Sequence, residues 1–359
     1  MLNITSLHEF HMNLNAKMVD FGGFDMPLYY TNITEEHLAV RQHAGIFDVS
    51  HMGEILLSGP DALTCVNSLV TNTISNDTKK VTYALLCNED GYILDDLLVY
   101  VIDIEKILLV VNASNIEKDY TWIQSHTKEF NVEVKNLSQD YSQVAIQGPK
   151  AHDICLNIID LSDTKLQFME YAVIPYLNEY IIVSRTGYTG EDGYEIYGKH
   201  HLIQSIWTAA LQRNVLPCGL GCRDTLRFEA SLPLYGHELS EDIQPYEAGL
   251  GFAVKREPFI GSEHISANKD NLTKKLVGIE MIDKGIPRAD YLLYLVDKKV
   301  GYITTGYLLP TQQTGLALAY VSIDASAIGT ELFVEIRGKK LACKIVKKVF
   351  MKKNYKKGD

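Results

Sequence analysis

The sequence predicts an α+β protein: two related α+β units of split βαβ type, then a small all-β domain. Three observations lead there. Strand and helix patterns alternate from about residue 40 to 235. The junction Leu57-Ser58-Gly59-Pro60-Asp61-Ala62 has a counterpart in Gln147-Gly148-Pro149-Lys150-Ala151-His152, each running from a strand through Gly-Pro into a helix. Beyond about residue 275 short strands alternate with turns, which reads as a β-barrel or sandwich.

Each element has a local reason. Glu54 to Ser58 alternates as a strand, and Pro60 to Val70 reads as a helix with proline near its first turn. Val81 to Cys87 and Ile93 to Ile102 form a hairpin around Asn88-Glu89-Asp90-Gly91. Lys106 to Val111 is a further strand, and Ser114-Asn115-Ile116-Glu117 has the capping-box pattern of a helix start. Val144 to Ile146 and Tyr180 to Ser184 are strands of the second unit. The all-β part contains Val277 to Met281, Val300 to Thr304, Ala317 to Val321, Glu331 to Ile336 and Ala342 to Val346.

The 359 residues are 46% hydrophobic and 22% charged, an ordinary globular balance. A net charge of -11 argues against broad nucleic-acid binding, which needs a basic face. No stretch approaches the ~18 to 20 apolar residues of a membrane span. Met1 to Phe10 lacks a basic segment followed by an apolar one, so a cytoplasmic location is expected. The six cysteines are scattered and expected to be reduced and mostly buried, with no metal site. The lysine-rich tail, Lys344 to Lys357, reads first as a solvated end and second as a contact for an acidic partner.

Several segments carry chemistry. Ile93-Leu94-Asp95-Asp96-Leu97-Leu98-Val99 sets two adjacent carboxylates in an apolar run. Strand alternation turns one inward, where a carboxylate must be paired or become a working acid or base. The pattern alone does not choose between Asp95 and Asp96. Arg41 to Gly53 gathers polar groups around a strand, with His51 either a base or a satisfied structural residue. Arg185-Thr186-Gly187-Tyr188-Thr189-Gly190-Glu191-Asp192-Gly193-Tyr194-Glu195 offers tight backbone, flat rings and a carboxylate. That suits a flat heterocycle that donates hydrogen bonds, or a plain hairpin loop. Cys218 to Ala230 lays a glycine-rich turn before a helix whose first turn holds Arg223, a cation where the helix dipole disfavours one. Its Gly-x-Gly lacks the third glycine of a dinucleotide site.

Together these segments, with Ala16 to Tyr30 and Val111-Asn112-Ala113, resemble the T proteins of the glycine cleavage system, tetrahydrofolate-dependent aminomethyltransferases. The chain departs from that pattern at Tyr92 and around Thr304 to Thr311. The resemblance implies two ferredoxin-like units and a C-terminal β-barrel around a central channel. It implies a folate-binding catalytic region over residues 1–255, a connection over 256–276, and a barrel with basic tail over 277–359. It implies transfer of a one-carbon unit from the lipoylated H protein to tetrahydrofolate, with release of ammonia. Asp96 matches the catalytic acid; Glu195, Arg223, Tyr83, Asn112, Tyr188 and Tyr355 match folate contacts. Asp95 is then on the other strand face, and Asp95→Asn is expected to lower turnover much less than Asp96→Asn. The competing readings are a related folate-dependent transferase or demethylase with another donor, and a non-catalytic folate-binding paralogue.

Overall fold

Two sheets, antiparallel but for one parallel edge pair, meet across their helix-free faces, and a closed barrel seals one side. The computed structural model describes residues 2–161 and 164–355. The first sheet has the order Val81–Cys87, Ile93–Asp103, Lys106–Val111, Gly53–Ser58, Glu133–Asn136. Helices Ala62–Leu69 and Ile116–His126 cover one face through Cys65, Val66, Leu97, Val99 and Ile123. Without its edge strand Val81–Cys87, this is the strand order of a ferredoxin-like split βαβ unit.

The second sheet repeats the plan with an exchange. Its order is Tyr171–Tyr176, Glu179–Ser184, Gly193–Gly198, Ser142–Gln147, Gly45–Asp48, Leu216–Pro217. The strand Gly45–Asp48 precedes the whole first unit in sequence, yet pairs here with Ser142–Gln147. The units therefore do not follow one another cleanly along the chain, as strand and helix patterning had suggested.

The face between the sheets is apolar, with Tyr100, Val110, Tyr171 and Tyr197 in one cluster. Along Ile93–Asp103, Leu97 and Val99 point to the helices, whereas Leu98 and Tyr100 point to the second sheet. The third domain is a closed six-stranded barrel, so the barrel alternative holds over the sandwich. It includes Leu292–Leu295, a strand the pattern missed. Leu276, Leu316 and Leu318 join it to Leu85, Ile93 and Phe228 of the preceding region.

Two local expectations differ from the structure. The helix expected at Ser114 opens as a 3-10 turn, Ala113–Asn115, and its α-helical part begins at Ile116 without a side-chain cap. Asn115 instead spends its amide on Asp95, a tertiary contact that outweighs the local one. The tail is also more than a solvated end. Asn354 donates its backbone N–H to Gly190 at 2.8 Å and its amide to Glu191, and Lys348 Nζ donates to Ala248 at 3.0 Å. Lys356 and Lys357 lie outside the described residues. All six cysteines are free and buried.

Candidate active site

A cavity of about 470 Å³ lies where the two sheets, the barrel and the tail meet. That is within the range of small-molecule sites. Tyr83, Asp96 and Asn112 reach it from the first sheet and the loop after it, Tyr188 and Glu195 from the second, Arg223 from helix Leu220–Glu229 and Tyr355 from the tail. The structure thus brings these seven residues to one cavity.

Strand alternation separates the two carboxylates. Asp96 shares the face of Leu98 and Tyr100 and lines the cavity. It accepts from Tyr83 Oη at 3.1 Å and from Asn112 Nδ2 at 2.9 Å. Burial, and after it the Asp95 carboxylate, raise Asp96 to about 7 despite those hydrogen bonds. Such a carboxyl exchanges a proton near neutral pH.

Asp95 faces the helices, fully buried. It accepts from Asn112 N at 3.0 Å, Asn112 Nδ2 at 2.8 Å and Asn115 Nδ2 at 2.7 Å. Burial and the nearby Asp95 push the Asp119 carboxyl well above the usual range. Asp95 thus lies on the face away from the cavity, and its role there is structural. It anchors the loop that presents Asn112 to Asp96, and three donors depend on its two oxygens.

On strand Gly193–Gly198, Tyr194 and Glu195 take opposite faces. Tyr194 enters the second unit's core and bonds His152 at 2.8 Å, so it offers no surface to the cavity. Glu195 is 7% exposed, at the cavity wall. Its Oε2 accepts from Thr186 Oγ1 at 2.5 Å and its Oε1 from Gln143 Nε2 at 3.4 Å. Burial raises this carboxyl, opposed by Thr186 and by Arg223. Arg223 lies 4.4 Å over the Tyr188 ring, and no acceptor among the described residues takes its N–H donors.

The loop between these residues is pinned. Arg185 makes a two-pronged contact with Asp192 at 2.9 and 2.8 Å. Gly187 leaves no room for a side chain, because a Cβ there would meet Gln147 Oε1 at 1.9 Å. That steric need, rather than turn flexibility alone, accounts for the glycine.

Other candidates fall outside. His51 is buried without a hydrogen-bond partner, and burial followed by the charge of Arg223 lowers it to about 4. It is a neutral ring held edge-on to Phe21 at 5.4 Å, off the cavity wall. Cys218, Cys222 and Glu36 place ligand atoms within 4.8 Å of one another. The Glu36 oxygens, however, accept from the N–H groups of Tyr30, Thr31 and Gly219 and so brace the helix entry. Sequence reasoning missed Phe168, Phe252 and Lys353 as cavity residues. Phe168 stacks on Tyr355 at 4.0 Å, and Phe252, 75% exposed, stacks on Tyr83 at 6.2 Å. An exposed aromatic on a short turn has no periodic signature. Lys353 was visible only as part of a charge run.

The chain was compared with known proteins. The family model described as "GCVT N-terminal domain" matches residues 7–257, and "Glycine cleavage T-protein C-terminal barrel domain" matches 274–352. A protein named Aminomethyltransferase from Lysinibacillus sphaericus is 45% identical over 98% of this chain and 99% of its own length. The protein of that name from Bacillus pumilus is 46% identical over 98% of this chain and 100% of its own length. The crystal structure of glycine cleavage system aminomethyltransferase T from Bartonella henselae superimposes with a TM-score of 0.93 at 30% identity, covering 99% of each chain.

Proposed function

The chain belongs to the glycine cleavage T-protein family and is an aminomethyltransferase, and from that premise we propose that its cavity takes tetrahydrofolate as acceptor while the lipoyl arm of an H protein delivers the aminomethyl group. The observation that carries this reading is one cavity lined by three unlike groups. Asp96 is a carboxyl poised near neutrality, Glu195 is an acceptor at the wall, and Arg223 has unengaged donors.

Those groups fit a reduced pterin. An aminopyrimidine edge presents two donors, and a carboxylate such as Glu195 accepts both. Arg223 can hold a ring carbonyl, with Tyr188 beneath its guanidinium. Lys348 and Lys353 line the same cavity and can face the glutamyl carboxylates. Tetrahydrofolate, when bound, supplies the nitrogen nucleophile. Asp96 holds or releases a proton as the amine departs, and its anion opposes the positive charge that develops there. Tyr83 and Asn112 fix the Asp96 oxygens so that little reorganisation is needed.

The test uses aminomethyl-loaded, lipoylated H protein with tetrahydrofolate. Ammonia and 5,10-methylenetetrahydrofolate should appear in equal amounts, each requiring folate. Turnover of a small methylated amine in place of the H protein would instead support a demethylase. Folate binding with no turnover of either donor would support the non-catalytic paralogue.

A further inference from the structure

Behind Glu195 lies a chain of hydroxyls. Thr186 Oγ1 donates to Glu195 Oε2, Ser184 Oγ lies 2.8 Å from Thr186 Oγ1, Tyr100 Oη lies 3.1 Å from Ser184 Oγ, and Tyr197 Oη lies 2.9 Å from Tyr100 Oη. Tyr100 and Ser184 are fully buried, Tyr197 1% exposed and Thr186 3% exposed. Tyr100 lies off the cavity wall, four residues along the same strand face from Asp96.

Proton counting gives the chain a direction. Each hydroxyl has one proton to donate. Thr186 uses its proton on Glu195, so Ser184 must donate to Thr186. Ser184 has one alternative acceptor, the Glu195 carbonyl at a longer 3.4 Å. With the Ser184 proton committed, Tyr100 donates to Ser184 and Tyr197 to Tyr100. All four O–H dipoles then point at one carboxylate, and hydrogen bonds aligned in this way polarise one another.

We propose that Tyr100 is a positioning residue for Glu195: through Ser184 and Thr186 it aims the hydroxyl chain at Oε2, holding the carboxylate as a pure acceptor toward the cavity. This rests on the folate reading of that cavity. It also gives Tyr100 a second task. The strand that carries Asp96 is tied by this hydroxyl's two bonds to the strands that carry Ser184 and Glu195, so it helps set the acid and the pterin acceptor relative to each other.

The charged and titratable groups that face Glu195 are Arg223 from its helix, Tyr355 from the tail, Tyr100 from the first sheet and Tyr197 from the same strand. Arg223 and the chain favour the anion, against burial. Removing the chain therefore extends protonation of Glu195 to higher pH. A protonated Glu195 sets an O–H against the ligand's donors.

Tyr100→Phe keeps the ring in contact with Tyr171 and Tyr197 and deletes one hydroxyl. Folate binding to the full-length enzyme is measured by calorimetry from about pH 5.5 to 9. The variant should bind roughly 3- to 10-fold more weakly at the acid end of that range, the scale of one lost hydrogen bond. The difference should shrink below about twofold toward the alkaline end, as the carboxylate form is favoured in both proteins. Ser184→Ala should shift the profile in the same direction. Equal weakening at every pH, or none, overturns the inference. A second arm needs no folate: carbon-13 titration of glutamate-labelled protein, with the Glu195 signal assigned through Glu195→Gln. Its midpoint should rise in Tyr100→Phe, and an unmoved midpoint overturns the proposal. A parent protein that binds no folate at any pH would refute the cavity reading alone.

Discussion

Replacing Asp96 with asparagine should cost turnover and add stability. The side chain sits at about 7 against an ordinary 3.8. At ~1.36 kcal/mol per decade, ionising it in the folded protein costs roughly 4 kcal/mol. Asparagine removes that cost, but its NH2 must face either Tyr83 or Asn112, both donors to the present carboxylate. One mispaired contact costs about 1 to 3 kcal/mol, leaving a net gain of roughly 1 to 3 kcal/mol. The sign follows from proton counting. Below about pH 4 the carboxyl is protonated whether the chain is folded or not. Between there and about 7 the unfolded chain ionises first, so the folded protein binds more protons and loses stability as pH rises. Asparagine should thus stabilise by near the full amount at pH 8 and give no gain at pH 4, where only the mispaired contact remains. Turnover with lipoylated H protein should fall roughly 10²-fold or more, as for a lost general acid or base, with folate affinity changed less. The assays are ammonia release at saturating folate and chemical denaturation at both pH values. A kcat within tenfold of the parent, or a stability difference that does not grow with pH, refutes the assignment.

The remaining predictions address other parts of the site. Asp95→Asn turns a donor toward Asn112 and Asn115 and should destabilise by about 1 to 3 kcal/mol, read by denaturation. Glu195→Gln sets an amide against the pterin's donors and should weaken folate binding roughly 5- to 150-fold by calorimetry. Lys348→Gln with Lys353→Gln should weaken folate at low salt and less at high salt, whereas Lys347→Gln with Lys352→Gln, on exposed tail positions, should raise only the KM for H protein at low salt. Glu54, buried with both oxygens unpartnered and held well above the usual carboxylate range by burial, should gain roughly 1 to 3 kcal/mol on Glu54→Leu, measured near neutral pH.

The site was more legible than the way the chain assembles around it. Adjacent aspartates in an apolar run announced an uncommon burial, but the run itself could not say which one faced the cavity. The register of Ile93–Asp103 against its neighbours decides that, and register is a property of the sheet. Arg223 stood out because it broke a local rule, a cation in a helix's first turn, and Glu195 because it ends a glycine-rich run with flat rings. Gly45–Asp48 shows the opposite case. Nothing in its four residues tells that the chain will cross to the second sheet, because pairing with Ser142–Gln147 is a contact between distant segments. Phe252 and Lys353 earn their cavity positions through tertiary placement, which leaves no periodic trace.

The cavity belongs to no single domain. Asp96 comes from the first sheet, Glu195 from the second, Leu276 and Leu318 from the barrel, and Tyr355 from the strap that crosses back. A ligand that touches all of them binds only the assembled arrangement, so occupancy opposes separation of any one part. At ~100 times its dissociation constant such a ligand adds about 2.7 kcal/mol against unfolding. Heating the free protein can then melt the barrel and the paired sheets in separate steps, while saturating folate should draw those steps into one transition. On the folate reading, the acceptor would act as a cross-brace between folding units.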